Sequence, residues 1–165
     1  MVQISAATSA ADFAAARQLF REYADSLGFD LDFQDFETEL ATLPGEYKPP
    51  MGALLLARQA GDVLGCVALR RLDDATCEMK RLYVRPDGRS AGVGRALAEA
   101  AITAGARAGY RRMWLDTVPS MAAARALYRS LGFREIGPYR FNPIPGTSFL
   151  ELELEPTAEP PERRR

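Results

Sequence analysis

Residues 78–102 read EMKRLYVRPDGRSAGVGRALAEAAI. The first seven of them belong to a run, Thr76 to Val84, in which apolar and polar residues alternate as in a β-strand. Strict alternation places Cys77, Met79 and Arg81 on one face, with Glu78, Lys80, Leu82 and Val84 on the other. Beyond Val84 the period changes. Leu97, Ala101, Ala104 and Ala108 recur at helical spacing up to Gly109. Between strand and helix lie Gly88, Gly92 and Gly94, with Arg89 among them and Arg95 after them. A loop of this kind leaves backbone N–H groups open to anionic oxygens, and the N-terminus of the helix adds favourable partial charge.

Several loops could carry such glycines. A nucleoside-triphosphate loop ends in Gly-Lys-Ser/Thr, whereas Gly94 is followed by Arg95-Ala96. A dinucleotide fingerprint would need glycine at Leu97. The spacing Gly88, Gly92, Gly94 matches short-chain dehydrogenases, but Tyr-x-x-x-Lys is missing: Tyr128 is followed four positions later by Gly132, and Tyr110 by Trp114. The loop alone leaves two readings open, a pyrophosphate cradle and a glycine-tolerant turn without a ligand.

Outward from this stretch the chain reads as one α/β domain over residues 1–155. Val2 to Ser5 suggests a short strand. Ser9 and Asp12 form a capping-box pattern before a helix carrying Phe13, Ala16, Leu19, Phe20 and Tyr23, ended by Gly28 after Leu27. Phe33 to Leu43 reads as a second helix stopped by Pro44-Gly45, and Glu46 to Gly52 as a loop. Ala53 to Gln59 and Val63 to Arg70 form a hairpin about Ala60-Gly61-Asp62, and Asp73-Asp74 turns into the strand at Thr76. Arg112 to Thr117 is a strand around Trp114. Ala124, Leu127, Tyr128 and Leu131 make a helical stripe closed by Gly132. Ser148 to Glu155 is a last strand, with an extra one near Glu135 to Tyr139. From Pro156 the tail is rich in Pro, Glu and Arg and reads as disordered. The predicted order is βααβββαβαβ around a mixed sheet.

Composition narrows the chemistry. The 165 residues suit a single globular domain, with 47% hydrophobic and 26% charged residues and a net charge of −1. Without a basic excess, nucleic acid is not an expected partner. No apolar run reaches the roughly 18 residues of a membrane span, and Asp12, Arg17 and Arg21 interrupt any leader-like N-terminal segment. Cys66 and Cys77 fit two reduced core thiols, which with the missing leader points to the cytoplasm. The chain contains no histidine, so histidine triads and histidine metal sites are excluded and no metal is expected.

The stretch from Glu78, with RSAGVG at Arg89 to Gly94, resembles the GCN5-related N-acetyltransferase (GNAT) superfamily and its Arg/Gln-x-x-Gly-x-Gly/Ala pattern. AARALYRSLGF, Ala123 to Phe133, is similar to that family's second block. The resemblance covers roughly residues 53–154. It implies a mostly antiparallel sheet flanked by helices, with the strands of Val84 and Trp114 splayed apart. It implies acetyl-CoA as co-substrate, its pantetheine arm paired with the backbone of Leu82, Tyr83 and Val84. The pyrophosphate would sit on the amides of Arg89, Ser90, Ala91, Gly92, Val93, Gly94 and Arg95.

The same resemblance implies Tyr128 as the acid that protonates the departing thiolate; by spacing alone, in a stripe with Ala124 and Leu131, this tyrosine reads as a core aromatic. Glu78, six residues before Val84, is the candidate base, or else a strand glutamate paired with a basic neighbour. Asp116 and Thr117 are lesser candidates. Where the family often has asparagine, this chain has Met121, with Ser120 beside it as a substitute helix cap. Cys66 as an acyl-carrying nucleophile would lack a histidine to activate it, and the family transfers directly. Tyr139 to Pro143 suggests a loop over the acceptor pocket, with Arg140 either facing a substrate carboxylate or solvated, and Phe33, Phe36 and Tyr47 on the other wall. The expected activity is transfer of acetyl to a primary amine of a small molecule by a monomer or homodimer. The alternatives are acetylation of a protein N-terminus or lysine, and a non-catalytic acyl-CoA-binding regulatory domain.

Overall fold

A computed structural model describes residues 1–28, 30–31, 35–89 and 91–156. Seven strands and four helices follow one another as β1 (Gln3–Ala6), α1 (Ala10–Leu27), α2 (Phe36–Ala41), β2 (Ala53–Gln59), β3 (Asp62–Arg71), β4 (Thr76–Val84), α3 (Val93–Arg107), β5 (Arg112–Thr117), α4 (Ala122–Ser130), β6 (Arg134–Ile136) and β7 (Ser148–Glu153). The strands form one sheet in the order β1-β2-β3-β4-β5-β7-β6. Every pairing is antiparallel except that of β4 with β5. One core lies between the sheet and α3, including Met79, Leu82, Leu97, Ala101 and Met113. The second lies under α1 and α2, including Leu19, Phe20, Phe36, Leu40 and Cys66.

Local chemistry explains the helix ends. The Asp12 N–H donates to Ser9 Oγ at 3.0 Å and the Ser9 N–H to Asp12 Oδ2 at 3.2 Å, a reciprocal cap on α1. Gly28 ends the helix at φ +77°. Replacing Ser9 by alanine is expected to cost about 1 kcal/mol, a fall in melting temperature of about 2–4 °C for a chain of this size; calorimetry on the purified variant checks it. In α3, small residues let the helix lie close on the sheet. A Cβ at Gly105 would stand 3.2 Å from Cys77 Sγ and 3.3 Å from both Leu154 Cδ1 and Met113 Cε.

The structure departs from the sequence reading at four places. The expected helix from Phe33 to Leu43 is shorter, Phe36–Ala41, and is followed by a single 3₁₀ turn at Gly45–Tyr47; Phe33 itself lies outside the described residues. The additional strand is at Arg134–Ile136 rather than reaching Tyr139, and β7 stops at Glu153. Ser120 does not cap α4: Met121 is the N-cap residue, and no side chain bonds the helix end there. The tail from residue 157 and the loop residue Ser90 fall outside the described residues.

The fourth departure shapes the site. Arg81 has φ +62°, in the left-handed region. Its register with β3 skips a residue, since Cys66 faces Tyr83 whereas Ala68 faces Lys80. This is a β-bulge, and one extra residue inverts every face that follows it. Cys77, Met79, Leu82 and Val84 therefore pack toward α3. Glu78, Lys80, Arg81 and Tyr83 look toward α1 and α2. A left-handed non-glycine residue costs about 1–2 kcal/mol. Arg81 is held there by a two-pronged bond to Glu39, with Nε to Oε2 at 2.9 Å and Nη2 to Oε1 at 2.6 Å. Its guanidinium stands 5.2 Å from the Phe36 ring centre, and its carbonyl accepts from Cys66 Sγ at 3.3 Å.

Candidate active site

β4 and β5 are paired only at Thr76–Arg112, Cys77–Met113 and Glu78–Trp114. Past Glu78 the two parallel strands separate, as the bulge bends β4 away. A gap of about 30 Å³ opens between them, lined by Leu82, Lys80, Asp116, Thr117 and Tyr128 among others. Strand splaying leaves the β4 backbone from Met79 onward without β5 as a partner on that edge, an arrangement into which an extended chain of amides could add itself.

The glycine loop stands at the far end of the same strand. Gly92 is the N-cap of α3 at φ +78°, and a side chain built on it would meet nothing within 4 Å. The first i→i−4 bond of the helix is from the Ala96 N–H to the Gly92 carbonyl, 3.0 Å, so the amides of Val93, Gly94 and Arg95 open the helix unspent on it. Arg89 folds back on the strand, its Nε donating to the Val84 carbonyl at 2.9 Å. Arg95 ties α3 to α4 through Ser130 Oγ at 2.6 Å.

Tyr128 rises from the last turn of α4 into the gap. It is 7% exposed, and its ring rests edge-on against Phe133 at 5.6 Å. Burial, with Tyr23 and Asp116 adding to it, holds the Tyr128 hydroxyl well above the usual tyrosine range. Thr117 Oγ1 is buried at the gap and has no hydrogen-bond partner among the described residues, the kind of orphan that an incoming polar ligand satisfies. The helix-opening amides, the open β4 edge and this hydroxyl are the features that a long, amide-containing pyrophosphate ester requires, and acetyl-CoA is such a molecule.

Glu78 sits deeper than an exposed strand glutamate would. It is fully buried and accepts hydrogen bonds from Arg70 Nε at 2.8 Å, from the Tyr139 hydroxyl at 2.7 Å and from Arg140. Burial raises its pKa, but the surrounding Lys80, Arg140 and Arg70 outweigh this and hold the carboxyl below the ordinary glutamate value. Glu39 is lowered in the same sense, with Arg81 overcoming burial. Groups with depressed folded-state pKa values contribute stability above their unfolded values, near pH 4.5, and lose it as pH falls through the folded ones. The melting temperature is thus expected to hold near neutral pH and to fall on acidification below about pH 4.5; a scan from pH 7 to 3 by circular dichroism checks it, and a flat profile would contradict the network.

Arg140, read from sequence as facing a substrate carboxylate or solvent, instead pairs with Glu78 and lies 3.6 Å from Asp116. It belongs to a strap that the sequence placed over the acceptor pocket. Tyr139 packs between Trp114, at 4.7 Å, and Phe149, at 5.3 Å, and Asn142 Nδ2 donates to Asp116 at 3.2 Å. Phe141 projects from the strap, 75% exposed. Beneath it is a cavity of about 630 Å³ whose lining includes Glu39, Glu46, Tyr47, Arg70, Lys80 and Arg140. Phe36 is buried behind it, under Arg81. Glu39, Arg70 and Lys80 escaped the sequence reading, since single charged residues in or beside strands carry no motif. Cys66 and Cys77 are both buried; burial pushes the Cys77 thiol up to about 12 and the Cys66 thiol further, so neither is a nucleophile at neutral pH.

The profile of the acetyltransferase (GNAT) family matches residues 13–133. The chain belongs to the GNAT family. It is an acetyl-CoA-dependent N-acetyltransferase. An N-acetyltransferase of Schizosaccharomyces pombe is 40% identical over 155 residues, covering 93% of this chain and 95% of the relative. The N-acetylaspartate synthetase of Danio rerio is 34% identical over 118 residues, 70% of this chain but 42% of that longer protein. Among solved structures, a GNAT acetyltransferase of Staphylococcus aureus superposes with a TM-score of 0.78 at 20% identity, over 94% of this chain and 100% of the other. An acetyltransferase of Salmonella typhimurium, solved with acetyl-CoA, gives 0.66 at 23% identity over 98% of each chain. Both share the overall fold of this chain. Among the described residues of the acetyltransferase, no helix is long and apolar enough to cross a membrane.

Proposed function

We propose that this acetyltransferase acts on the primary amine of a small molecule. The observation that carries this reading is the 630 Å³ cavity beside Arg140 and Phe141 of the strap, which shares the wall residue Lys80 with the β4–β5 gap. The strap is tied down by Glu78, Asp116, Trp114 and Phe149, so the acceptor meets a fixed wall on that side of a half-open pocket. The name of the N-acetylaspartate synthetases, which make an N-acetylated amino acid, supports a small amine. In this reading the enzyme works in the cytoplasm.

Acetyl-CoA supplies the acetyl group as an activated thioester. The backbone of Leu82, Tyr83 and Val84 orients its arm along the open edge of β4, and Thr117 adds a hydroxyl donor from the opposite strand. The amides of the loop from Arg89 to Arg95, Ser90, Ala91, Gly92, Val93 and Gly94 included, hold the pyrophosphate. Tyr128 keeps its proton across the physiological range and presents it at Oη to the leaving sulfur. Glu78, the expected base, is engaged by three donors, Arg70, Tyr139 and Arg140, and through the last two it ties the strap to β4.

The test is acetyl-CoA turnover against pooled primary amines and free amino acids, with peptides bearing free N-termini in parallel, read by thiol release. Turnover with a free amine or amino acid is expected. The ribosomal-protein-S18-alanine N-acetyltransferase of Escherichia coli shares the fold at 25% identity and a TM-score of 0.69, and turnover with peptides alone would move the acceptor to that class. Binding of CoA without any transfer would leave a regulatory domain.

A further inference from the structure

We propose that Lys80 is the general base of the reaction, taking the proton from the acceptor ammonium at its Nζ. This rests on the small-amine reading above. Lys80 is two residues beyond Glu78, the last residue of β4 paired with β5, and immediately before the bulge at Arg81. It is therefore the first residue on the acceptor side of β4 where the strands have parted. This position makes it part of the wall of the acceptor cavity and of the gap where Tyr128 lies. It thus borders both the space read as the acceptor's and the space where the thioester would lie.

The charges around Lys80 bear on its protonation. Its own strand contributes Glu78 and Arg81, β3 contributes Arg70, and the strap contributes Arg140. From α2 and the 3₁₀ turn come Glu39 and Glu46, from β5 Asp116, and from α1 and α4 Tyr23 and Tyr128. Burial, with Arg81, Arg140 and Arg70 adding to it against Glu78, lowers the Lys80 ammonium to about 7. A substantial neutral fraction at neutral pH is what a base toward an alkylammonium needs. Glu78, held below the ordinary glutamate value, is a far weaker acceptor.

The step balances without a further reactant. The acceptor ammonium gives one proton to the Lys80 amine. The freed nitrogen lone pair forms the C–N bond to the acetyl carbon as the C–S bond breaks, the second amine proton passes to solvent, and the sulfur takes the Tyr128 proton. Lys80 and Tyr128 return to their starting states by exchange with water.

The experiment compares wild type, Lys80→Met and Lys80→Arg with an acceptor from the amine pool, measuring kcat and KM from pH 6 to 10. In wild type kcat/KM is expected to rise through about pH 7, as Lys80 loses its proton. Both variants are expected to lose at least tenfold in kcat at pH 7 and to regain activity at high pH, where the acceptor is already neutral. Arginine keeps the charge yet cannot accept a proton, so wild-type kcat in Lys80→Arg overturns the proposal, as does a rise confined to KM, which would make Lys80 an anchor for an acceptor anion. If no amine is acetylated, the small-amine reading fails, and trace acetylation of the full-length protein by acetic anhydride across the same pH range, read by peptide mass spectrometry, decides the basicity of Lys80 by itself. Reactivity rising through about pH 7 supports the base; a transition near that of free lysine, roughly 10.4, overturns it.

Discussion

Replacing Tyr128 by phenylalanine is expected to lower turnover about 10²-fold, the lower range for a lost general acid, while folding and CoA affinity change little. The ring is the part that packs: it lies against Phe133 at 5.6 Å in the core beneath α4, and phenylalanine keeps it. The hydroxyl is the part that reaches the gap, and one neutral hydrogen bond contributes about 0.5–1.5 kcal/mol, so binding of CoA should weaken by no more than about tenfold. Because burial holds this hydroxyl well above the usual tyrosine range, the acid remains protonated at every pH at which the enzyme is assayed, and no falling limb below pH 9 should belong to it. Steady-state kinetics on a true acceptor, with calorimetric CoA titrations alongside, separate the possibilities. A Tyr128→Phe enzyme with wild-type kcat would leave water as the proton donor and return Tyr128 to the core.

Gly92→Glu is expected to weaken CoA binding at least tenfold, about 1.4 kcal/mol or more. The new carboxylate would stand at the N-terminus of α3, on the side where a Cβ built on the glycine meets nothing beyond its chain neighbours within 4 Å. It would compete there with pyrophosphate oxygens for the same amides and repel their charge. Gly92 is at φ +78°, so any side chain introduces backbone strain of about 1–2 kcal/mol. Gly92→Ala carries that strain without the charge and without a clash. Calorimetry should therefore find both variants comparably destabilised, but a large loss of CoA affinity in the glutamate variant alone. Equal CoA affinity in the two would show that the loop is not the cradle.

Much of this arrangement is legible in the amino-acid sequence. The strand from Thr76 to Val84, the glycines that follow it, the helix behind them and the second block around Tyr128 are contiguous pieces whose chemistry is local: alternation, turn residues and caps act over a few positions. The family's fold and the splayed pair of strands follow from those pieces, and the sheet order and the three-residue β4–β5 pairing agree with it. The strap is legible too, because Tyr139 to Pro143 interrupts any regular pattern between two strands.

What the sequence by itself determined, then, is the strand, glycine loop and helix proposed to hold the cofactor, since their backbone amides depend on neighbouring residues. The surroundings of the proposed acceptor pocket were decided only by the tertiary structure. No local signal marks Arg81 as a left-handed residue, since that conformation is held by Glu39, 42 positions away, and the bulge it makes reverses the faces of Leu82, Tyr83 and Val84. The sequence leaves Glu78 open between a base and a strand glutamate paired with a basic neighbour, because its donors Tyr139 and Arg140 lie 61 and 62 positions along the chain. Lys80 gains its place in the walls of two cavities only when β4 bends from β5. A charge acquires its protonation state from burial and from the other charges around it, and both are properties of the folded chain.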